Sequence, residues 1–213
     1  MSNKPKGFLF MKKVLSIVLI IATVLTVFCG CSSKPVQSGD YEYVVLDDDT
    51  AKITKYLGTA DIIELEIPTA IDDYTVTVIG KEAFKDVQCI TVVTTPDTLT
   101  KIEEYAFANS SLKKIFMHRS PLLTEIGAYA FSECKNLIQA DMPMDLVTLG
   151  DYAFYYCDKL KIAQFRGDPE HIGTFAFDAC PKVRLYVKDN AQRTKNYADQ
   201  YRLETKITDS TGK

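Results

Sequence analysis

The sequence predicts an α/β fold, a solenoid of about five 23-residue repeats, each with one short parallel strand and one helical turn. A β-rich cap precedes the array and a helical cap follows it. Two observations carry this reading. A hydrophobic-Gly-x-x-Ala-Phe core starts at Ile79, Ile102, Ile126, Leu149 and Ile172, at spacings of 23, 24, 23 and 23 residues, as IGKEAF, IEEYAF, IGAYAF, LGDYAF and IGTFAF. Each core continues alike: Val87, Ser110, Cys134, Cys157 or Cys180 stands three residues after the Phe. Ile90, Leu112, Leu137, Leu160 or Val183 then opens an alternating run (ITVVTT, LKKIFMH, LIQADMP, LKIAQF in the first four). Alternation of that length predicts a strand.

Composition fits a folded body. Of 213 residues 46% are hydrophobic and 25% charged, with 12 Tyr, 11 Phe and no Trp, which excludes disordered and collagen-like chains. Residues 1–30 hold Lys4, Lys6, Lys12 and Lys13 and no acid, so removing these four positive charges takes the formal net charge from -3 to -7. An acidic body argues against nucleic-acid binding by phosphate neutralisation and against docking on anionic lipid through a basic patch.

The first element, residues 1–30, reads as a signal peptide. Lys12-Lys13 precedes fifteen uncharged residues, Val14 to Phe28. That is short of the roughly 20 apolar residues a membrane span needs and matches a basic n-region followed by an apolar h-region. An uncleaved N-terminal membrane helix is the alternative, and Met11 is an alternative start. Phe28-Cys29-Gly30-Cys31 resembles a bacterial lipobox, with Gly30 before the modified cysteine; Phe28 stands where that motif usually has Leu. The resemblance implies lipidation of Cys31, whose two diacylglycerol chains would give a lasting anchor where one chain gives only marginal binding. Residues 31–40 read as a flexible tether, and Ser32 to Gly39 (SSKPVQSG) would reach about 27 Å when extended.

Residues 41–78 form the expected β cap, alternating around Asp47-Asp48-Asp49 and Leu57-Gly58-Thr59. The repeats occupy 79–187. Stacked coils bury Ile, Ala, Phe, Cys and Leu in ladders, and each coil touches chiefly its neighbours. Gly80, Gly127, Gly150 and Gly173 are expected where the chain turns tightly. Beyond Val183 the run RLYVKD departs from the earlier strand register. Residues 188–213 are the C-terminal cap: Asn190 to Arg202 predict a polar helix started by Asp189 or Asn190, and the chain is expected to fray from Thr208.

The repeat resembles the bacterial BspA-like branch of the leucine-rich repeat superfamily, Ile-Gly-x-x-Ala-Phe-x-x-Cys-x-x-Leu followed by a strand, over about residues 41–187. Glu103 replaces Gly in the second unit, and Val87 and Ser110 replace Cys; Ser120-Pro121-Leu122-Leu123 lengthens one connection. What the resemblance implies is adhesion-like protein binding at a cell surface.

Catalytic and metal-binding patterns find little support. Cys134, Cys157 and Cys180 share one repeat position and Cys89 lies off it by two. Without Cys-x-x-Cys or a local His, zinc is disfavoured. Disulfides are possible in an exported chain, but side chains stacked in parallel suit them poorly, so buried, reduced thiols are expected. His118 and His171 lack triad or zinc-helix neighbours and read as surface loop residues. Asp47-Asp48-Asp49 lacks the spacing of a calcium loop and reads as a solvated turn. No phosphate-cradling or nucleophile-elbow motif occurs. No catalytic residue, metal or cofactor is assigned.

Two rows remain as candidate binding surfaces. Tyr105, Tyr129, Tyr152 and Phe175 each precede an Ala-Phe pair and form one row; they either cover the core edge with their hydroxyls in water or supply a contact surface. Strand alternation turns Lys114, Phe116 and His118 to the concave face and sets Thr94, Phe116, Asp141 and Gln164 in one row, on the face solenoids use for macromolecular ligands. The expected protein is a monomeric, lipid-anchored, non-catalytic module on the outer side of a bacterial membrane, binding an extracellular or envelope protein and no nucleic acid. The alternatives are an envelope-associated enzyme or small-molecule receptor, and a purely structural envelope protein.

Overall fold

A computed structural model describes residues 34–208; residues 1–30, read as a signal peptide, and Cys31 lie outside the described residues. Seven strands build a wholly parallel sheet in the order β4 (Ile62–Glu66), β7 (Ile90–Thr94), β9 (Lys114–Phe116), β11 (Gln139–Asp141), β13 (Ile162–Gln164), β15 (Arg184–Lys188) and β16 (Glu204–Thr208). A second sheet starts with an antiparallel run, β1 (Val36–Ser38), β2 (Tyr41–Val45) and β3 (Thr50–Tyr56). It continues in parallel through β6 (Tyr74–Ile79), β8 (Lys101–Ile102), β10 (Glu125–Ile126), β12 (Thr148–Leu149) and β14 (His171–Ile172), while β5 (Ala70–Ile71) pairs beside β6.

The solenoid is as expected, but each coil carries two strands, one per sheet, where one was expected. The strands of the second sheet from β8 onward are two residues long, too short to show alternation. The array is also longer than five units, because β4 and β6 begin the parallel stacking within the stretch expected to be a cap. The segment expected to be a helical turn is instead a chain of tight turns. Ala106 N–H donates to Glu103 O, Ala108 N–H to Tyr105 O and Ser110 N–H to Phe107 O, while the intervening amides of Tyr105, Phe107 and Asn109 donate to Ala128, Ala130 and Ser132 of the next coil. Tyr105 and Asn109 have φ of 57° and 54°, and the same two positions are left-handed in every coil from Glu82 and Asp86 to Phe175 and Ala179. Positive φ at the third residue marks a type II turn. A helix would spend all its interior amides within the segment; alternating turns leave every second one for the neighbour.

The recurrent glycines serve stacking, not tight turning. None of Gly80, Gly127, Gly150 and Gly173 has positive φ. A Cβ on Gly150 would lie 2.4 Å from Ala128 N, and one on Gly173 2.3 Å from Asp151 N. The side chain is absent because the previous coil's backbone occupies its place.

Phe84, Phe107, Phe131, Phe154 and Phe177 form a stacked column with centroids 4.8, 5.2, 4.9 and 5.2 Å apart, headed by Tyr56 at 5.3 Å. Burial of each such ring contributes about 1.5–3 kcal/mol. Cys134, Cys157 and Cys180 are buried and unpaired; their thiols donate to the carbonyls of Phe107, Phe131 and Phe154 at 3.1, 3.2 and 2.9 Å. Cysteine fits there as a small apolar side chain with one weak donor. Cys89 is only half-buried.

Both ends depart from expectation in detail. β1 lies in the stretch read as the tether: Val36 pairs with Tyr43, and Ser38 Oγ and Tyr43 Oη both donate to Asp72 at 2.7 Å. The Asp47-Asp48-Asp49 segment is an exposed turn, in which Asp48 accepts from Thr50. At the other end RLYVKD keeps register, with Ala163 opposite Leu185, because the last coil is one residue shorter than the one before. Helix α1 (Gln192–Tyr201) starts without a side-chain cap at Ala191. Neither Asp189 nor Asn190 caps it. Asp168, from the preceding coil, accepts from the amides of Arg193 and Thr194 and from Thr194 Oγ1 at 3.0, 2.8 and 2.9 Å. Thr208, expected to fray, is buried and closes β16 by donating to Val187 O.

Candidate binding face

The parallel register builds the candidate face directly. Glu66 pairs with Thr94, Thr94 with Phe116, Phe116 with Asp141, Asp141 with Gln164, Gln164 with Tyr186 and Tyr186 with Lys206. The four residues expected to share a row do share it, and Tyr186 extends it. The inward neighbours Val93, Ile115, Ala140, Ala163 and Leu185 are buried, so this row points away from the core.

Two of its members are nevertheless buried: Asp141 is 6% exposed and Gln164 8%. Asp141 Oδ1 accepts from Gln139 Nε2 at 2.9 Å, while Oδ2 lies 3.7 Å from His118 Nδ1 and 3.8 Å from Arg166 Nη2. Those two separations exceed hydrogen-bond length, and Arg166 Nε and His118 Nδ1 have no partner among the described residues. Burial foremost, then the charge of Arg166, holds the His118 imidazole below its ordinary value against the pull of Asp141. His118 lies in the turn after β9, as expected of a loop residue, but it is half-buried and belongs to this cluster. Its outward direction follows from strand alternation. Its aspartate lies on the next coil and leaves no local mark in the sequence, and the same holds for Arg166. His171 opens β14 and is exposed.

The other row is brought together as well. Tyr105, Tyr129 and Tyr152 are half-buried and stack with centroids 4.9 and 5.0 Å apart and planes within 10°, continuing to Phe175 at 5.6 Å and ending edge-on against Tyr201 at 5.3 Å. The ring faces cover one another, so a partner would meet ring edges. Lys81 and Lys85 place Nζ 5.9 and 5.8 Å from the Tyr105 centroid and cover the free end.

A cleft of about 460 Å³ between α1 and the last coil is lined by Phe175, Phe177, Cys180, Tyr197 and Tyr201, and neither histidine lines it. Burial pushes the Cys134 thiol up to about 11 and Cys157 well above its ordinary value, which disfavours the nucleophilic thiolate. Among the described residues no group of His, Cys, Asp and Glu is placed to hold a metal ion, and no helix is long and apolar enough to cross a membrane.

Comparison with known proteins agrees with this architecture. The family model described as BspA type leucine rich repeat region matches six copies over residues 55–199. The crystal structure of a leucine-rich repeat protein of T. pallidum is similar at 26% identity and a TM-score of 0.64, covering 72% of each chain. The pneumococcal vaccine antigen PcpA shares the fold at 17% identity and a TM-score of 0.59, covering 76% of this chain and 52% of its own. A leucine rich cell surface protein of Faecalibacterium prausnitzii does so at 24% identity and 0.50, covering 74% and 55%. No curated protein matches. With a repeat model spanning more than half of its length and a parallel solenoid built over the matched residues, the chain belongs to the BspA-type leucine-rich repeat family.

Proposed function

We propose that the protein is a surface-anchored lipoprotein whose leucine-rich repeat body is a non-catalytic, adhesion-like module that binds another protein through the concave row Thr94, Phe116, Asp141 and Gln164. Cys31 carries the lipid. The observation that carries the reading is the in-register row itself, a contiguous outward strip on which an aromatic ring stands beside a buried carboxylate and a buried amide. Such mixed, partly desolvated positions are where binding energy concentrates. Tyr105, Tyr129 and Tyr152 spend their ring faces on each other and serve chiefly to close the core edge. The description of one fold relative as a cell surface protein supports the placement outside the membrane.

The test presents the full chain to a panel of extracellular-matrix and bacterial-envelope proteins. It runs beside Phe116→Ala, which leaves the buried polar pair in place, and beside the triple change of Phe116, Asp141 and Gln164 to Ala. A ligand of the wild type should be lost or weakened about tenfold or more by Phe116→Ala; capture equal to wild type by both variants refutes the concave face. For the anchor, Cys31→Ser should leave the membrane fraction without detergent. Continued detergent-only extraction would point to the uncleaved helix.

A further inference from the structure

The charge on the outward side of the seven-stranded sheet is not that of the molecule. Without its signal segment the chain is acidic, yet from β9 to β15 the outward side of the seven-stranded sheet carries Lys114, Arg166, Arg184 and Lys188, with Arg119 next to His118. Arg184 is engaged by Glu204 at 2.7 Å. Lys114, Arg119 and Lys188 form no ion pair among the described residues, and Arg166 has only its long contact with Asp141. The acids of the same face are Asp141 in the central row, Glu204 of β16, which pairs with Arg184 and Lys206, and Glu64 and Glu66 of β4 at the far edge.

Shape adds to charge. Along the central row Phe116 and Tyr186, both half-buried, are three strand spacings apart, about 14 Å. Between them Asp141 and Gln164 are buried, a burial pattern that fits a shallow trough with rings at its ends and a polar floor. Gln164 is 8% exposed there, and its amide, which is not among the buried polar groups left without a partner, makes no side-chain hydrogen bond among the described residues and so keeps its polar atoms at the surface. An amide offers both a donor and an acceptor, the pair that a peptide group requires. The cations flank the trough: Lys114 two residues before the row, Arg166 and Lys188 two residues after it.

We propose that this trough docks an acidic, extended segment of a partner protein, whose backbone pairs with the Gln164 amide and whose carboxylates meet Lys114, Arg166 and Lys188. The proposal rests on the reading that this face binds a protein. An extended chain advances about 3.3 Å per residue, so roughly four residues cross from Phe116 to Tyr186, with acids on either side of the crossing. Asp141 discriminates between anions. A densely charged polysaccharide would lay negative charge over a buried carboxylate, whereas a peptide places neutral backbone there and its acids on the flanks.

The test uses the full chain in detergent and a fluorescein-labelled peptide alternating Glu with Thr, read by anisotropy at low ionic strength. A Lys-Thr peptide and dextran sulfate are the comparison probes. The acidic peptide should bind, lose affinity steeply as salt is added, and bind about tenfold more weakly to the Lys114→Gln, Lys188→Gln double variant. Both lysines are free of ion pairs, so that variant should keep the wild-type thermal transition. Gln164→Leu should weaken binding further without changing the salt dependence. Equal binding of the acidic and basic peptides, unchanged affinity of the double variant, or preference for dextran sulfate would each overturn the proposal. If Phe116→Ala abolishes capture of a panel ligand while the lysine variant captures it normally, the binding face stands and only its acidic partner falls. If Phe116→Ala and the triple variant both leave capture intact, the face itself is wrong.

Discussion

Tyr56 stands at the head of a column that every later coil fills with phenylalanine, and its hydroxyl is buried without a hydrogen-bond partner among the described residues. A buried unmet hydroxyl is destabilising, and a phenyl ring satisfies the same stacking with Phe84. Tyr56→Phe should therefore raise stability by about 1 kcal/mol, seen as a higher denaturation midpoint with an unchanged slope; a loss of stability would show that the hydroxyl has a partner. The recurrence of glycine could be read from the sequence, but its reason could not. The period marks where Gly150 must be small, while the 2.4 Å approach to Ala128 N is a distance between coils that no local pattern carries. The same limit hid the surroundings of Asp141. His118 and Arg166 are each more than twenty residues away from it along the chain, and only the register brings them to 3.7 and 3.8 Å.

Helix α1 closes the array, and its N-terminus is capped across coils by Asp168, which satisfies two otherwise orphan amides. Replacing a capping side chain costs about 0.5–2 kcal/mol. Asp168→Ala should lower the thermal transition accordingly and reduce helical circular dichroism before the main unfolding step, while Asp168→Asn should retain most of the wild-type value. No effect of Asp168→Ala on either signal would remove the capping role. The strands of the seven-stranded sheet were legible because the alternation from Leu112 or Leu137 spans several residues. The two-residue strands of the second sheet show no period, and the Ala-Phe segment imitates a helical turn in composition. What separates it from a helix is the left-handed backbone at Tyr129 and Glu133, residue types that give no warning of positive φ.

At the scale of the molecule, the N-terminal hairpin and the C-terminal cap both hold phenols out of water. Burial first, with Asp72 second, pushes Tyr43 up to about 12; burial raises Tyr197 to about 12 and also raises Tyr41 and Tyr56. These folded-state values lie above the ordinary 10.0, so the stabilisation is intact below about pH 10 and is lost as pH rises from there toward 12. A spectrophotometric phenol titration should show a late group of tyrosines ionising together with loss of structure; ionisation of all tyrosines near their ordinary value in folded protein would refute this. The solenoid, its period and its outward row were visible in the sequence because each rests on repetition; the polarity of that row was not, because it depends on which charges remain unpaired after stacking. The claim that the seven-stranded sheet presents the binding surface is tested most directly by hydrogen exchange on the full chain with a captured protein ligand bound. Protection is expected along residues 114–118, 139–143 and 162–166, and protection confined to the turns around Tyr105, Tyr129 and Tyr152 would contradict it.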